Sequence, residues 1–330
     1  MRIFHGLICL FVCLSLVGCE APRTNPYDPE SSTYIGSNAP TATFYGTVQT
    51  RNLQPIQDAF IYIPGVAAVS SDSSGQFEIT NLPSGKYQVI CTKEGFTTST
   101  VTDSLGFLQV KRVDFELNSV PQLLDFDITT HYVYNVPFTP SIYYELRANA
   151  IIFDPDGAVD IDTVLFTTTD SLFLYAFKEA DVVNDTAIYT LTAREDTIPG
   201  LSIYSLVDKE FFCQVWDKNG AQNTSQIQLI TRVFDKYPQP DYPLGGLPYP
   251  KDTLEVVWYE FEETFNFTFT VSLYYGSTPD SFWDSTGISS EVTSIVIGDF
   301  LVFGTYHWRI EAVDFYGNSA LSSKSYFVIQ

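Results

Sequence analysis

Methionine occurs once in the 330 residues, histidine three times and tryptophan four times, and only 17 lysines and arginines stand against 39 acidic residues. The shortage of basic residues leaves a net charge of −22. That argues against nucleic acid and against an anionic membrane surface as partners, since both are gripped by Lys and Arg. His131 lies beside Tyr132, and His307 sits between Tyr306 and Trp308 on the opposite strand face. Neither has a cysteine, a serine elbow or a second histidine nearby, so the sequence displays no zinc site and no catalytic triad. Long Ala/Glu/Lys/Leu stretches are missing, so helix content is expected to be low. The only uncharged apolar run of any length is Leu7 to Gly18, twelve residues. About twenty helical residues are needed to cross a bilayer.

What is present at the N-terminus is a charge at Arg2, that short apolar run, and then Leu16-Val17-Gly18-Cys19. A charged start before a short apolar core reads as a secretion signal. The last four residues resemble the lipobox of bacterial lipoproteins, whose peptidase cuts before the cysteine. The resemblance implies that residues 1–18 are a lipoprotein signal peptide. It implies that the Cys19 thiol takes a diacylglyceryl group and that its new amine takes a further acyl chain, such as palmitate. Each buried methylene contributes ~0.8 kcal/mol, so several chains hold a protein on a membrane where one does not. Residues 19–41 follow as an expected flexible tether, with Pro22, Pro26, Pro29 and Pro40 among Ser, Thr, Asn and Gly. Asn25-Pro26-Tyr27-Asp28-Pro29 resembles the tether after the lipid cysteine in some envelope lipoproteins.

Beyond the tether, 26 Phe and 21 Tyr accompany frequent Gly, Pro, Asn and Asp, a composition of strands and turns. The fold class expected is all-β: tandem antiparallel β-sandwiches after the signal peptide and tether. Cys9 and Cys13 leave with the signal. Cys91 alternates with Tyr87 and Val89, and Cys213 with Phe211 and Val215. Both read as small buried hydrophobes, one per block, rather than as a disulfide or a metal pair.

Residues 42–120 form the first block. Gly46-Thr47-Val48 opens a strand, and Pro55-Ile56-Gln57-Asp58-Ala59 leads into Ile61 and Ile63. Asp72-Ser73-Ser74-Gly75 turns the chain into Phe77 and Ile79. Leu82-Pro83-Ser84-Gly85-Lys86-Tyr87 and Glu94-Gly95-Phe96 follow, and Val113, Phe115 and Leu117 alternate last. Gly75 and Gly85 stand where tight turns need positive φ or close backbone approach. This order of residues is similar to the carboxypeptidase regulatory-like domain, a transthyretin-like, seven-stranded sandwich related to starch-binding-like folds. Domains of that kind accompany peptidases, transporters and surface binding proteins without doing chemistry.

Residues 121–235 carry strand patterns at Tyr143–Ile152, Asp162–Thr168, Ala187–Ala193 and Phe211–Trp216, then Ile227, Leu229 and Thr231 in alternation. The pattern is compatible with an immunoglobulin-like sandwich. A proline-rich stretch over 236–250 opens the last block, 236–330, as a semi-rigid linker merging into an edge strand. There Leu254, Val256 and Trp258 alternate, as do Phe265, Phe267, Phe269, Val271 and Leu273. Tyr306, Trp308, Ile310 and Ala312 then match the strand that carries the tyrosine corner of fibronectin type III domains, which this block resembles. Leu301 and Gly304 precede that tyrosine one residue closer than the family's common spacing. Asp217 to Gly220 and Asp314 to Gly317 have the same spacing before a final strand, as if one hairpin were used twice.

Two clusters are candidates for binding. Asp154-Pro155-Asp156-Gly157 with Asp160 and Asp162 could offer the oxygens calcium takes, but the spacing is not that of an EF-hand. Asp, Pro and Gly occupy the first, second and fourth positions a type I turn favours, so a plain turn without metal is the expectation. Tyr274, Tyr275, Phe282 and Trp283 surround a loop and could stack on a glycan, or could pack beneath it. No catalytic residue and no cofactor is expected. The reading is a non-enzymatic lipoprotein of a Gram-negative envelope, on the outer membrane, that binds or scaffolds envelope or extracellular proteins. The sequence leaves open whether its face is periplasmic or external. A carbohydrate-binding surface lipoprotein is the first alternative, and a non-catalytic accessory of a secreted carboxypeptidase-type system the second.

Overall fold

A computed structural model describes residue 31 and residues 41–330, apart from 136–140, 172–173, 177, 198–201, 251–253 and 299–300. Cys19 and residues 1–18, for which a signal peptide is expected, lie outside the described residues. Contacts divide the chain into two compact units, one comprising Met1–Glu94 and Thr98–Leu117, the other Gly95–Thr97 and Asn118–Gln330. Regular structure among the described residues is strand apart from short 3-10 turns, and the tandem antiparallel sandwiches expected from composition are present.

In the first unit, strand Ala42–Thr50 pairs antiparallel with Gln76–Leu82 and parallel with Val110–Arg112 and Phe115–Leu117. A second sheet runs in the order Ala67–Ser70, Phe60–Ile63, Gly85–Thr92, Ser99–Leu105. Alternation along these strands buries Phe44, Val48, Ile61, Ile79, Val89 and Phe115. The last strand is broken in two where Asp114 turns aside. Its Oδ1 accepts from the backbone N–H and the hydroxyl of Thr47, each at 2.9 Å.

The second unit holds two cores. One gathers Phe126, Leu146, Phe166, Phe211 and Val215, and the other Trp258, Phe269, Trp308, Ile310 and Phe327. They are joined by one continuous sheet, because Ser319–Leu321 pairs in parallel with Gln122–Asn135 in the register Ser319 to His131 and Leu321 to Val133. The Arg309 guanidinium also donates to the Tyr134 and Ser322 carbonyls. Blocks two and three therefore make one unit. Asn118 to Val120 belong with it, and the Val120 N–H donates to the Gly95 carbonyl. Pro240–Tyr242 forms an edge strand on Leu254–Trp258.

The tyrosine corner closes despite its offset: the Tyr306 hydroxyl donates to the Val302 carbonyl at 2.9 Å and accepts from the Val302 N–H at 3.0 Å. The twin hairpin is also there. Asp217 Oδ1 accepts from the N–H groups of Asn219 and Ala221, and Asp314 Oδ1 from those of Tyr316 and Asn318. Eight residues on, Ser225 and Ser322 repeat a second device, each hydroxyl accepting the N–H of the facing strand residue, Cys213 or Ile310. Asp72 in the first unit makes the same turn, accepting from Ser74 and Gln76. The three glycines at the fourth position have φ of 73°, 85° and 84°.

One alternation differs from expectation. Ile227 and Leu229 are 52% and 48% exposed, while Ile230 is buried. The Ser225 device occupies the chain just after Gln222–Thr224, and pairing resumes only at Gln228–Leu229, with the inward position moved by one residue.

Candidate functional site

The aspartates at the end of strand Ser141–Phe153 form the most organised polar cluster. The expected turn is formed, with the Gly157 N–H donating to the Asp154 carbonyl at 2.9 Å. A 3-10 turn, Ala158–Asp160, follows and leads into strand Ile161–Thr168, which pairs with Glu210–Asp217. That pairing carries Asp217 from the far side of the sequence to Asp154 and Asp160. One carboxylate oxygen of each lies within 4.8 Å of the other two. Asp162 is exposed, and its carboxylate accepts from the Thr163 hydroxyl.

The entering chain seals this cluster. The Ser119 N–H donates to Asp156 Oδ2 at 2.7 Å, and its hydroxyl lies 2.7 Å from that oxygen and 3.0 Å from Asp154 Oδ1. One hydroxyl hydrogen can serve only one of the two at a time. The Asn118 amide donates to Asp217 Oδ2 at 2.6 Å, and the Asn219 amide to Asp160 Oδ2 at 2.9 Å. Asp154 Oδ2 and Asp156 Oδ1 are buried with no hydrogen-bond donor. Burial pushes the Asp154 carboxyl above the usual range, and the Asp156 and Asp160 charges push the same way. Asp217, Asn118 and Ser119 could not have been grouped with Asp154 by spacing. The readable hint was the Asp-x-x-Gly hairpin that places Asp217 at a strand end.

The four loop aromatics do not share a face. Tyr274 stacks on His307 at 4.5 Å between centroids, while Tyr275 and Phe282 both lean on Tyr306. Trp283 pairs across from Leu273 and packs half-buried on the C-terminal core. Tyr275 and Phe282 remain 45% and 48% exposed.

His131 has both ring nitrogens partnered, whereas His307 reaches the Gly276 carbonyl through Nδ1 and keeps Nε2 buried without a hydrogen-bond partner. His131 is buried, with Nε2 2.8 Å from the Thr129 hydroxyl and Nδ1 2.8 Å from the Ser319 hydroxyl. Ser319 donates its single hydrogen to Glu311, so it accepts from His131 Nδ1–H, and Nε2 takes the Thr129 hydrogen. Burial, aided by the Arg147 charge, lowers the His131 pKa to about 3, far from the value a general base needs near neutrality. Burial likewise pushes the Cys91 thiol up to about 11 and the Cys213 thiol to about 12, away from nucleophilic use.

Residues 43–118 match the family model of the carboxypeptidase regulatory-like domain, the resemblance read in the first block. No curated protein matches the chain. Solved structures similar to it include the FN1–FN3 domains of chicken CNTN1, at 10% identity over 84% of this chain and 92% of that one, with a TM-score of 0.35. The major pilin subunit BcpA of Bacillus cereus aligns at 12% identity over 84% and 91%, TM-score 0.31. A putative carbohydrate binding protein from Bacteroides uniformis aligns at 10% identity over 57% and 98%, TM-score 0.23.

Proposed function

We propose that this chain is a non-catalytic, lipid-anchored protein of a Gram-negative outer membrane whose sandwiches present a docking surface to protein partners. The observation that carries the docking reading is Phe315, 91% exposed at the tip of the third Asp-x-x-Gly turn, with Tyr316 beside it. The same position in the other two turns holds Ser73 and Lys218, which water accepts without cost. A phenyl ring has no polar group to offer a sugar, and covering it with a partner contributes about 2 kcal/mol. The anchor rests on Leu16-Val17-Gly18-Cys19.

The test is crosslinking and pull-down from native membranes. The wild-type chain is expected to incorporate labelled fatty acid and to capture a discrete partner. Phe315→Ser should lose most of that capture while keeping its melting temperature, and Cys19→Ala should lose the label. Undiminished capture by Phe315→Ser counts against the docking tip, and a fully labelled Cys19→Ala against the anchor.

A concavity of about 740 Å³ in the first unit favours a second reading. Tyr45 lines it beside Arg112, Glu78 and Gln76, an aromatic face with polar groups that could orient a sugar. Binding to one polysaccharide on a glycan array, weakened at least tenfold by Tyr45→Ala, would place carbohydrate ahead of protein. A blank array leaves the protein reading first.

A further inference from the structure

We propose that Asp154, Asp160 and Asp217, with Asp156 beside them, hold one calcium ion at the head of the second unit. Calcium takes six to eight oxygen ligands at 2.3–2.6 Å, so oxygens on opposite sides of the ion stand about 5 Å apart. The three carboxylate oxygens, two from one loop and the third brought by strand pairing, all lie within 4.8 Å of one another and suit that sphere. All the donors are oxygen, the set a hard cation prefers and a soft one does not.

Acidic groups close together are common on surfaces, and two further observations set these apart. Asp154 is 0% exposed and Asp156 8%, and each keeps one oxygen buried without a donor. The partnered oxygens are spoken for: Asp154 Oδ1 by the Asp156 N–H and Ser119, Asp156 Oδ2 by Ser119 alone. Folded proteins rarely leave a buried carboxylate oxygen with neither donor nor cation. The second observation is an internal comparison. The twin aspartate of the third block, Asp314, makes the same turn and meets the Arg232 guanidinium at 3.6 Å. In the second block, among the described residues, no lysine or arginine pairs with Asp154, Asp156 or Asp217. The amides of Asn118 and Asn219 orient Asp217 and Asp160 without bringing charge. A divalent cation supplies there what Arg232 supplies to the twin.

The experiment uses the intact chain in detergent, stripped with EDTA and titrated calorimetrically with calcium chloride. One saturable event is expected, and calcium at a hundred times its Kd should raise the melting temperature of the second unit by several degrees. Magnesium, which demands a stricter octahedron, should bind more weakly. Asp160→Asn keeps an acceptor for Asn219 but removes a charge, and should weaken calcium at least tenfold. Asp162→Asn, outside the cluster, should match the wild type. No heat and no melting shift in the wild type would overturn the proposal. So would equal affinity in Asp160→Asn, which would place the ion among the scattered surface carboxylates. So, finally, would a calcium-independent gain in stability from Asp154→Asn, the mark of an aspartate that folds protonated.

Discussion

A single methyl group at Gly46 is expected to unfold the first unit. A Cβ built there lies 1.7 Å from the Val113 carbonyl oxygen and 2.6 Å from its carbon, both backbone atoms. No rotamer change relieves that clash. The strand Ala42–Thr50 would have to leave the parallel strands at Val110–Arg112 and Phe115–Leu117, and the Thr47–Asp114 clasp would open. The cost expected for Gly46→Ala is more than about 4 kcal/mol, a large share of the 5–15 kcal/mol that holds a typical domain. Without added denaturant, trypsin should then cut at sites such as Arg51, Lys86 and Arg112. Gly65→Ala is the control. Gly65 has a φ of 71° but nothing within 4 Å of the added atom, so only backbone strain of about 1 kcal/mol is expected. A Gly46→Ala protein as protease-resistant as the wild type would refute the close approach.

The second large effect is on acid stability. Folded His131 is neutral with a pKa of about 3, against an ordinary value of 6.5. The unfolded chain therefore takes up a proton at a pH where the folded chain does not. The stabilisation is fully present above pH 6.5 and is lost progressively as pH falls toward about 3. Each pH unit inside that window is worth about 1.4 kcal/mol, so lowering pH from 6.5 to 5 should cost the second unit about 2 kcal/mol through this group. Burial lowers His307 as well, which adds a slope of the same sign. His131→Asn separates the two. It should be less stable than the wild type at pH 7, having lost the bonds to Thr129 and Ser319, yet it should lose less between pH 7 and 5. Urea midpoints measured across that range decide it, and parallel pH curves for the two proteins would show that His131 is not held neutral.

Much of the architecture could be read in the chain because its signals are local. Alternation at Leu254, Val256 and Trp258, and at Tyr306 to Ala312, needs only a strand with one wet face. The Asp-x-x-Gly turns need only an aspartate that can reach two N–H groups ahead and a glycine that accepts positive φ. Alternation fails as a guide where a tertiary partner resets the pattern. At Ile227 to Thr231 the serine hydroxyl replaces a backbone acceptor, and periodicity carries no trace of that. The aspartate cluster was half legible for the same reason. Asp154, Asp156 and Asp160 are neighbours in sequence, but Asp217 arrives by strand pairing and Asn118 and Ser119 by the path of the entering chain. Asp162 looked equivalent and is turned outward by the alternation of its strand.

The parallel pairing of Ser319–Leu321 with His131–Val133 bears on how motion travels through the second unit. Two sandwiches joined by a loop bend at the loop. Two sandwiches that share a ladder bend less freely, because the ladder, the His131–Ser319 and Thr130–Asn318 bonds and the Arg309 clasp on Tyr134 all resist it. The turn that carries Phe315 runs straight into Ser319–Leu321, so the direction in which it points is tied through that ladder to strand Gln122–Asn135.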